Sequence, residues 1–110
     1  MTSNGFHYEV AESGDDQKGN RVTTVTCHGR LVSETSGEIK TVVKPLLAAG
    51  GRTVVDLGDV SFLDSSGLGA LVGLKVSALN QGLCILEFAN MTPRVLELLR
   101  ISNLTQMLKS

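Results

Sequence analysis

Two adjacent hydroxyls, Ser65 and Ser66, follow a carboxylate, Asp64, and precede Gly67. A serine placed where a helix begins is suited to carry a phosphate, because the unpaired N–H groups of the first turn and the positive end of the helix dipole both favour an anion. The same types also do something plainer. Asp64 and Ser65 are both good N-caps, whose side-chain oxygens accept from those N–H groups. A cap needs one such residue, whereas this stretch adds a second Ser, a preceding Asp and Gly67, whose missing Cβ lets another backbone or a ligand approach closely. Phe62 to Gly69 is therefore the candidate site, with Ser65 more reachable at the junction and Ser66 nearer to the helix proper.

Other chemistries fit the residues less well. Gly67, Gly69 and Gly73, with Glu87 further on, superficially resemble a dinucleotide fingerprint. That motif needs its glycines in the tight turn directly after a strand, and here Gly69 and Gly73 fall on the helix, where close packing explains them. Ser hydrolysis lacks both a Gly-x-Ser-x-Gly elbow and a His placed near Ser65. His7 and His28 lie far apart in sequence, and neither is a strong metal ligand candidate. Cys27 and Cys84 sit in predicted strands among apolar neighbours and read as free thiols, with neither a zinc site nor a disulfide expected. No metal and no cofactor is expected.

The elements that position the site follow from periodicity. Thr53, Val54, Val55 and Leu57 form a buried strand, with Asp56 and Asp59 marking its exit. The helix beyond opens on the serines, and Leu68, Leu71, Val72, Val76 and Leu79 fall on one helical face. Asn80 to Gly82 ends it.

At this point the run Asp59-Val60-Ser61-Phe62-Leu63-Asp64-Ser65-Ser66-Gly67-Leu68-Gly69-Ala70-Leu71-Val72 resembles the signature of the STAS domain, specifically the bacterial anti-sigma factor antagonists. The resemblance implies that Ser65 is the phospho-acceptor of a partner kinase. It further implies that Asp59, Ser61, Phe62, Leu63, Asp64, Ser66, Gly67 and Leu68 form the partner-binding surface. Partner switching would follow. The unphosphorylated domain binds an anti-sigma factor with serine/threonine kinase activity and frees a sigma factor, phosphorylation of Ser65 releases the complex, and a phosphatase resets it. The domain itself would catalyse nothing. Family members often carry a Gly-Glu-Leu-Asp-like segment where this chain has Gly29-Arg30-Leu31-Val32, so Arg30 stands for the Glu and Val32 for the Asp. A STAS module working without phosphorylation, as a scaffold or a transporter-associated subunit, is therefore kept as an alternative. On this reading Gly67→Ala weakens docking and leaves the melting temperature level or higher.

The rest of the chain agrees in element order. Phe6 to Ala11 suits an edge strand, Glu12 to Asn20 a polar turn, and Arg21 to His28 a second strand that Gly29 ends. Leu31 to Gly50 reads as a helix with a Thr35/Glu38 capping box and a stripe of Ile39, Val42, Val43, Leu46 and Leu47, kinked or broken near Lys44 by Pro45. Leu83 to Phe88 reads as a strand buried on both faces, and Thr92-Pro93 opens a last helix with Val95, Leu96, Leu99 and Ile101 on its apolar side. Asn103 stops that helix, before a tail with Leu104, Met107 and Leu108.

The expected fold is α/β: one STAS-like domain over residues 1–110, with a mixed, mostly parallel four- to five-stranded sheet covered by about three to four helices. The chain has 110 residues, enough for one core, and 42% of them are hydrophobic. A net charge of −1 offers no basic field to nucleic acid. No apolar run is long enough to span a bilayer, and Met1 to Gly5 does not read as a signal peptide, so a cytoplasmic protein is expected.

Overall fold

The structure, a computed structural model, describes residues 5–15, 17, 19–82 and 84–103. Seven elements follow one another: β1 (Phe6–Asp15), β2 (Arg21–Leu31), α1 (Ser36–Ala49), β3 (Gly51–Leu63), α2 (Ser65–Gln81), β4 (Cys84–Ala89) and α3 (Pro93–Ile101). The sheet order is β1-β2-β3-β4, with β1 antiparallel to β2 and the other two pairs parallel. Both parallel crossovers step in the same direction, so their right-handedness places α1 and α2 on one face. That face holds the core: Val25, Cys27 and Leu31 of β2, Val55 and Leu57 of β3, and Leu86 of β4 meet Ile39, Val43 and Leu47 of α1 and Ala70, Leu71 and Leu74 of α2. The expected mixed, mostly parallel α/β sheet is thus observed, with four strands and three helices among the described residues.

The central strand departs most from expectation. It does not exit at Asp56 but runs on to Leu63. Two register shifts against β2 insert extra residues, one between Asp56 and Asp59 and one between Val60 and Phe62. The buried positions therefore fall at Val55, Leu57, Val60 and Leu63, no longer every second residue. The side chain of Asp56 braces the first bulge, with Oδ1 accepting from Gly58 N at 2.8 Å and Oδ2 from Asn90 Nδ2 at 3.0 Å. Residues that read as turn formers here hold a bulge inside a strand.

Gly29 likewise does not end β2. It sits at the second shift with φ of +99°, and a Cβ there would lie 1.7 Å from the Gly5 carbonyl oxygen. The strand passes through and delivers Leu31 to the core. Helix α1 accordingly starts at Ser36 rather than Leu31. The capping box is not formed, because the Thr35 hydroxyl donates to Arg30 O at 2.7 Å and accepts from Val32 N at 2.9 Å. Pro45 does not break the helix, which is continuous to Ala49. Pro45 and Thr41 lie on the exposed side, where the carbonyl that loses its donor is open to water.

Three apolar faces differ too. In α2 the buried residues are Gly67, Ala70, Leu71, Leu74, Lys75 and Ala78, while Val76 and Leu79 are 38% and 63% exposed. The helix is apolar nearly all round, so periodicity alone does not choose the face; small residues do, because they let α2 approach its neighbours closely. Lys75 reaches through that packing to donate Nζ to Leu86 O at 2.7 Å. Strand β4 is last in the sheet, so only Leu86 is fully buried and Ile85 is open, not buried on both faces. Leu83 lies outside the described residues, as do Leu104, Met107 and Leu108. In α3, Thr92 accepts from Val95 N at 3.3 Å with Pro93 opening the helix, as expected, but only Val95 and Leu99 are buried; Leu96 and Ile101 face outward. The edge strand β1 extends to Asp15, through part of the expected turn.

Candidate functional site

The site forms where the C-terminal end of β3 meets the start of α2 and the β2–α1 connection. Asp64 organises it. Its extended backbone makes it the N-cap of α2, and Oδ1 accepts from Gly67 N at 2.9 Å. Its other oxygen, Oδ2, accepts from Ser33 N at 3.3 Å, and its own N–H donates to Leu31 O at 3.3 Å. One carboxylate therefore fixes both the helix start and the neighbouring loop, which the buried Thr35 hydroxyl ties from the other side.

With the cap supplied by Asp64, Ser65 and Ser66 are left exposed in the first turn, and neither hydroxyl makes a hydrogen bond among the described residues. Ser65 is thus not the cap that its position allows. Of the other expected partner-facing residues, Asp59, Ser61 and Phe62 are exposed and Leu68 is partly buried. Ser61 donates Oγ to Gly29 O at 3.2 Å. Leu63 is 2% exposed and belongs to the core. Gly67 is buried as well, and a Cβ on it would lie 2.1 Å from Leu31 O and 2.9 Å from Leu63 Cδ1. The close approach that Gly67 permits is to the chain's own β2. The expectation that Gly67→Ala spares the fold is therefore corrected.

The bulge in β3 turns Asp59 toward β2, opposite His28. When protonated, His28 donates Nδ1–H to Asp59 Oδ2 at 2.6 Å and Nε2–H to Glu9 Oε1 at 3.1 Å. These two hydrogen bonds, Asp59 first and then Glu9, push the His28 pKa up. His7 stacks on the His28 ring at 4.5 Å, so the two histidines, remote in sequence, are neighbours across β1 and β2. Among the described residues no group of three or more His, Cys, Asp and Glu is arranged to hold a metal. Cys27 and Cys84 are free, as expected; burial pushes the Cys27 thiol up to about 12, which makes it a poor nucleophile.

Sequence reasoning missed Arg30 and Arg94 as site residues. Arg30 pairs in register with Phe62, and its ζ carbon lies 5.5 Å from the ring centroid; that of Arg94, in the first turn of α3, lies 5.8 Å from it. No local signal marks Arg94, since the contact joins β3 to α3 across the chain. Val32 is buried, so its side chain offers this site no charge.

A family model described as Mlab, STAS domain matches residues 14–109. The chain belongs to that family of STAS domains. Several solved structures share the fold of this STAS domain. The anti-sigma factor antagonist SpoIIAA in its unphosphorylated form superposes with a TM-score of 0.69 at 17% identity, over 92% of this chain and 84% of that one. An anti-sigma factor antagonist from Mycobacterium paratuberculosis gives 0.64 at 19% identity, over 89% and 81%. The murine anion transporter Slc26a9 gives 0.63 at 16% identity, where the match spans 91% of this chain but 18% of the transporter. No curated protein matches the sequence. Among the described residues no helix is long and apolar enough to cross a membrane.

Proposed function

We propose that this STAS domain is an anti-sigma factor antagonist that works by partner switching in the cytoplasm, with Ser65 as its phosphorylation site. It is not an enzyme; its partners are an anti-sigma factor with serine kinase activity and a phosphatase. The observation that carries the reading is the division of labour at the head of α2: Asp64 caps the helix, so the exposed Ser65 hydroxyl has no structural duty and stands open to a kinase. A phosphate there adds about −1.5 to −2 charges beside the helix N-terminus, which the isolated domain accommodates readily. Beneath a partner the same charge would be desolvated close to Asp64, and leaving a buried charge unpaired in an interface commonly costs about 2–5 kcal/mol. That is a loss of roughly thirtyfold to several thousandfold in affinity. Electrostatic exclusion, without refolding, is the switch.

The test incubates the domain with candidate kinases of the same genome and ATP, maps the phosphosite by mass spectrometry, and measures partner affinity of Ser65→Ala and Ser65→Asp. Labelling at Ser65, with tight binding by Ser65→Ala and weak binding by Ser65→Asp at unchanged circular dichroism, is the expected result. Equal affinities of the two variants would refute the switch. They would favour the second reading, a transporter-associated scaffold, which the likeness to a segment of the anion transporter Slc26a9 supports.

A further inference from the structure

We infer that the Arg30–Phe62–Arg94 stack is an anion-reading anchor, which seats an acidic segment of a partner protein with an apolar side chain in the groove between β3 and α3. The inference rests on reading the Phe62 to Leu68 face as a docking surface, and it adds the chemistry of the occupant. Three elements contribute one residue each to the stack: Arg30 from β2, Phe62 from β3 and Arg94 from α3. All three are exposed, and Phe62 is an aromatic 37% open to solvent.

The charge is unbalanced. Neither Arg30 nor Arg94 has a carboxylate partner among the described residues. The acidic groups nearby are already engaged: Asp59 holds His28, Asp64 accepts from Gly67 and Ser33, and Glu97 pairs with Arg100. Two like charges therefore share one aromatic ring in a chain whose net charge is −1. Arg94 also stands in the first turn of α3, where the helix dipole disfavours a cation, so its place is not explained by the stability of that helix. The ring holds both guanidinium groups by cation–π attraction and leaves their N–H edges free to bind a carboxylate, the geometry that Arg recognises in a bidentate manner.

Beside the stack lies a groove of about 430 Å³ lined by Phe62, Leu63, Arg94, Glu97 and Leu98. Its floor is apolar and its rim carries the cation of Arg94, so it fits a branched or aromatic side chain flanked by Asp or Glu. Aromatic and Arg side chains at the centre of a patch are also the types that dominate binding at protein interfaces.

The test titrates the ¹⁵N-labelled full chain with the peptide acetyl-Glu-Leu-Asp-Leu-Glu-amide and with its Gln/Asn counterpart. The acidic peptide is expected to shift the Nε–Hε signals of Arg30 and Arg94 and the backbone signals of Phe62 and Leu98. The neutral peptide should bind at least about tenfold more weakly, and Arg30→Gln and Arg94→Gln should each weaken the acidic peptide about threefold to tenfold. Phe62→Leu keeps an apolar groove and removes the stack, and should lose the preference for the acidic peptide. Equal binding of the two peptides, no shift at millimolar peptide, or shifts confined to another face would overturn the inference. So would the same arginine shifts in phosphorylated domain without peptide, which would make the chain's own phosphate the occupant. A kinase partner that Ser65→Asp excludes, but that binds Arg30→Gln and Arg94→Gln as well as wild type, overturns this inference and leaves partner switching standing.

Discussion

Replacing Gly67 by Ala adds one methyl group at the tightest point of the site. Its Cβ would lie 2.1 Å from Leu31 O and 2.9 Å from both Leu31 C and Leu63 Cδ1, all closer than real Cβ contacts. Two of the three neighbours are backbone, and Leu31 O also accepts the Asp64 N–H that begins α2. The strain cannot be relieved by turning a side chain. Overpacking of this kind typically costs about 1–3 kcal/mol, and contact with backbone places the cost toward the upper end. Ala gains at most about 1 kcal/mol over Gly in helix propensity, so the net loss should be about 1–2 kcal/mol. For a domain of this size that is a fall in melting temperature of about 5–15 °C. Gly69→Ala supplies the control, because its Cβ would meet nothing within 4 Å and the residue is exposed on the same helix. It should raise stability by up to about 1 kcal/mol. Thermal melts followed by circular dichroism, with urea titrations to check that the m-value is unchanged, measure both. A Gly67→Ala protein that melts at or above the wild type, or two variants that move in the same direction, would refute the packing argument.

Asp64→Ala removes the cap of α2 and the acceptor for Ser33 N, and should cost about 1–2 kcal/mol in urea unfolding, with Asp64→Asn costing less because its oxygen still accepts. In a kinase assay Ser65→Ala should abolish labelling and Ser66→Ala should not; label that survives the first and vanishes in the second would move the site to Ser66. His28 gives a pH dependence. Its pKa is raised in the folded state, so the folded protein binds more protons than the unfolded chain, and the stabilisation is fully present below the ordinary histidine value and lost as pH rises through the raised one. The difference in melting temperature between wild type and His28→Gln should therefore be largest near about pH 6 and shrink toward about pH 9. A gap that grows with pH would show that His28 does not hold Asp59 and Glu9 in its charged form.

By itself the sequence determined the kind and order of the elements, because each depends on local pattern: β-branched runs for the strands, the Thr92-Pro93 start of α3, and Gly82 in the left-handed conformation closing α2. The motif from Asp59 to Val72 likewise marked the family and the candidate site, since its residues are contiguous. Tertiary structure decided what neighbours in space must settle. Asp56 and Gly58 read as the end of a strand, yet pairing on both sides carries β3 past them as a bulge that brings Asp59 to His28. Position at the sheet edge, not composition, leaves Ile85 open to water. The buried face of α2 is chosen by Gly67, Ala70 and Ala78 because distance between backbones, which hydropathy does not encode, governs how closely the helix sits. Arg30 and Arg94 meet on Phe62 from opposite ends of the chain, and such a contact exists only once the sheet and α3 have closed around that ring.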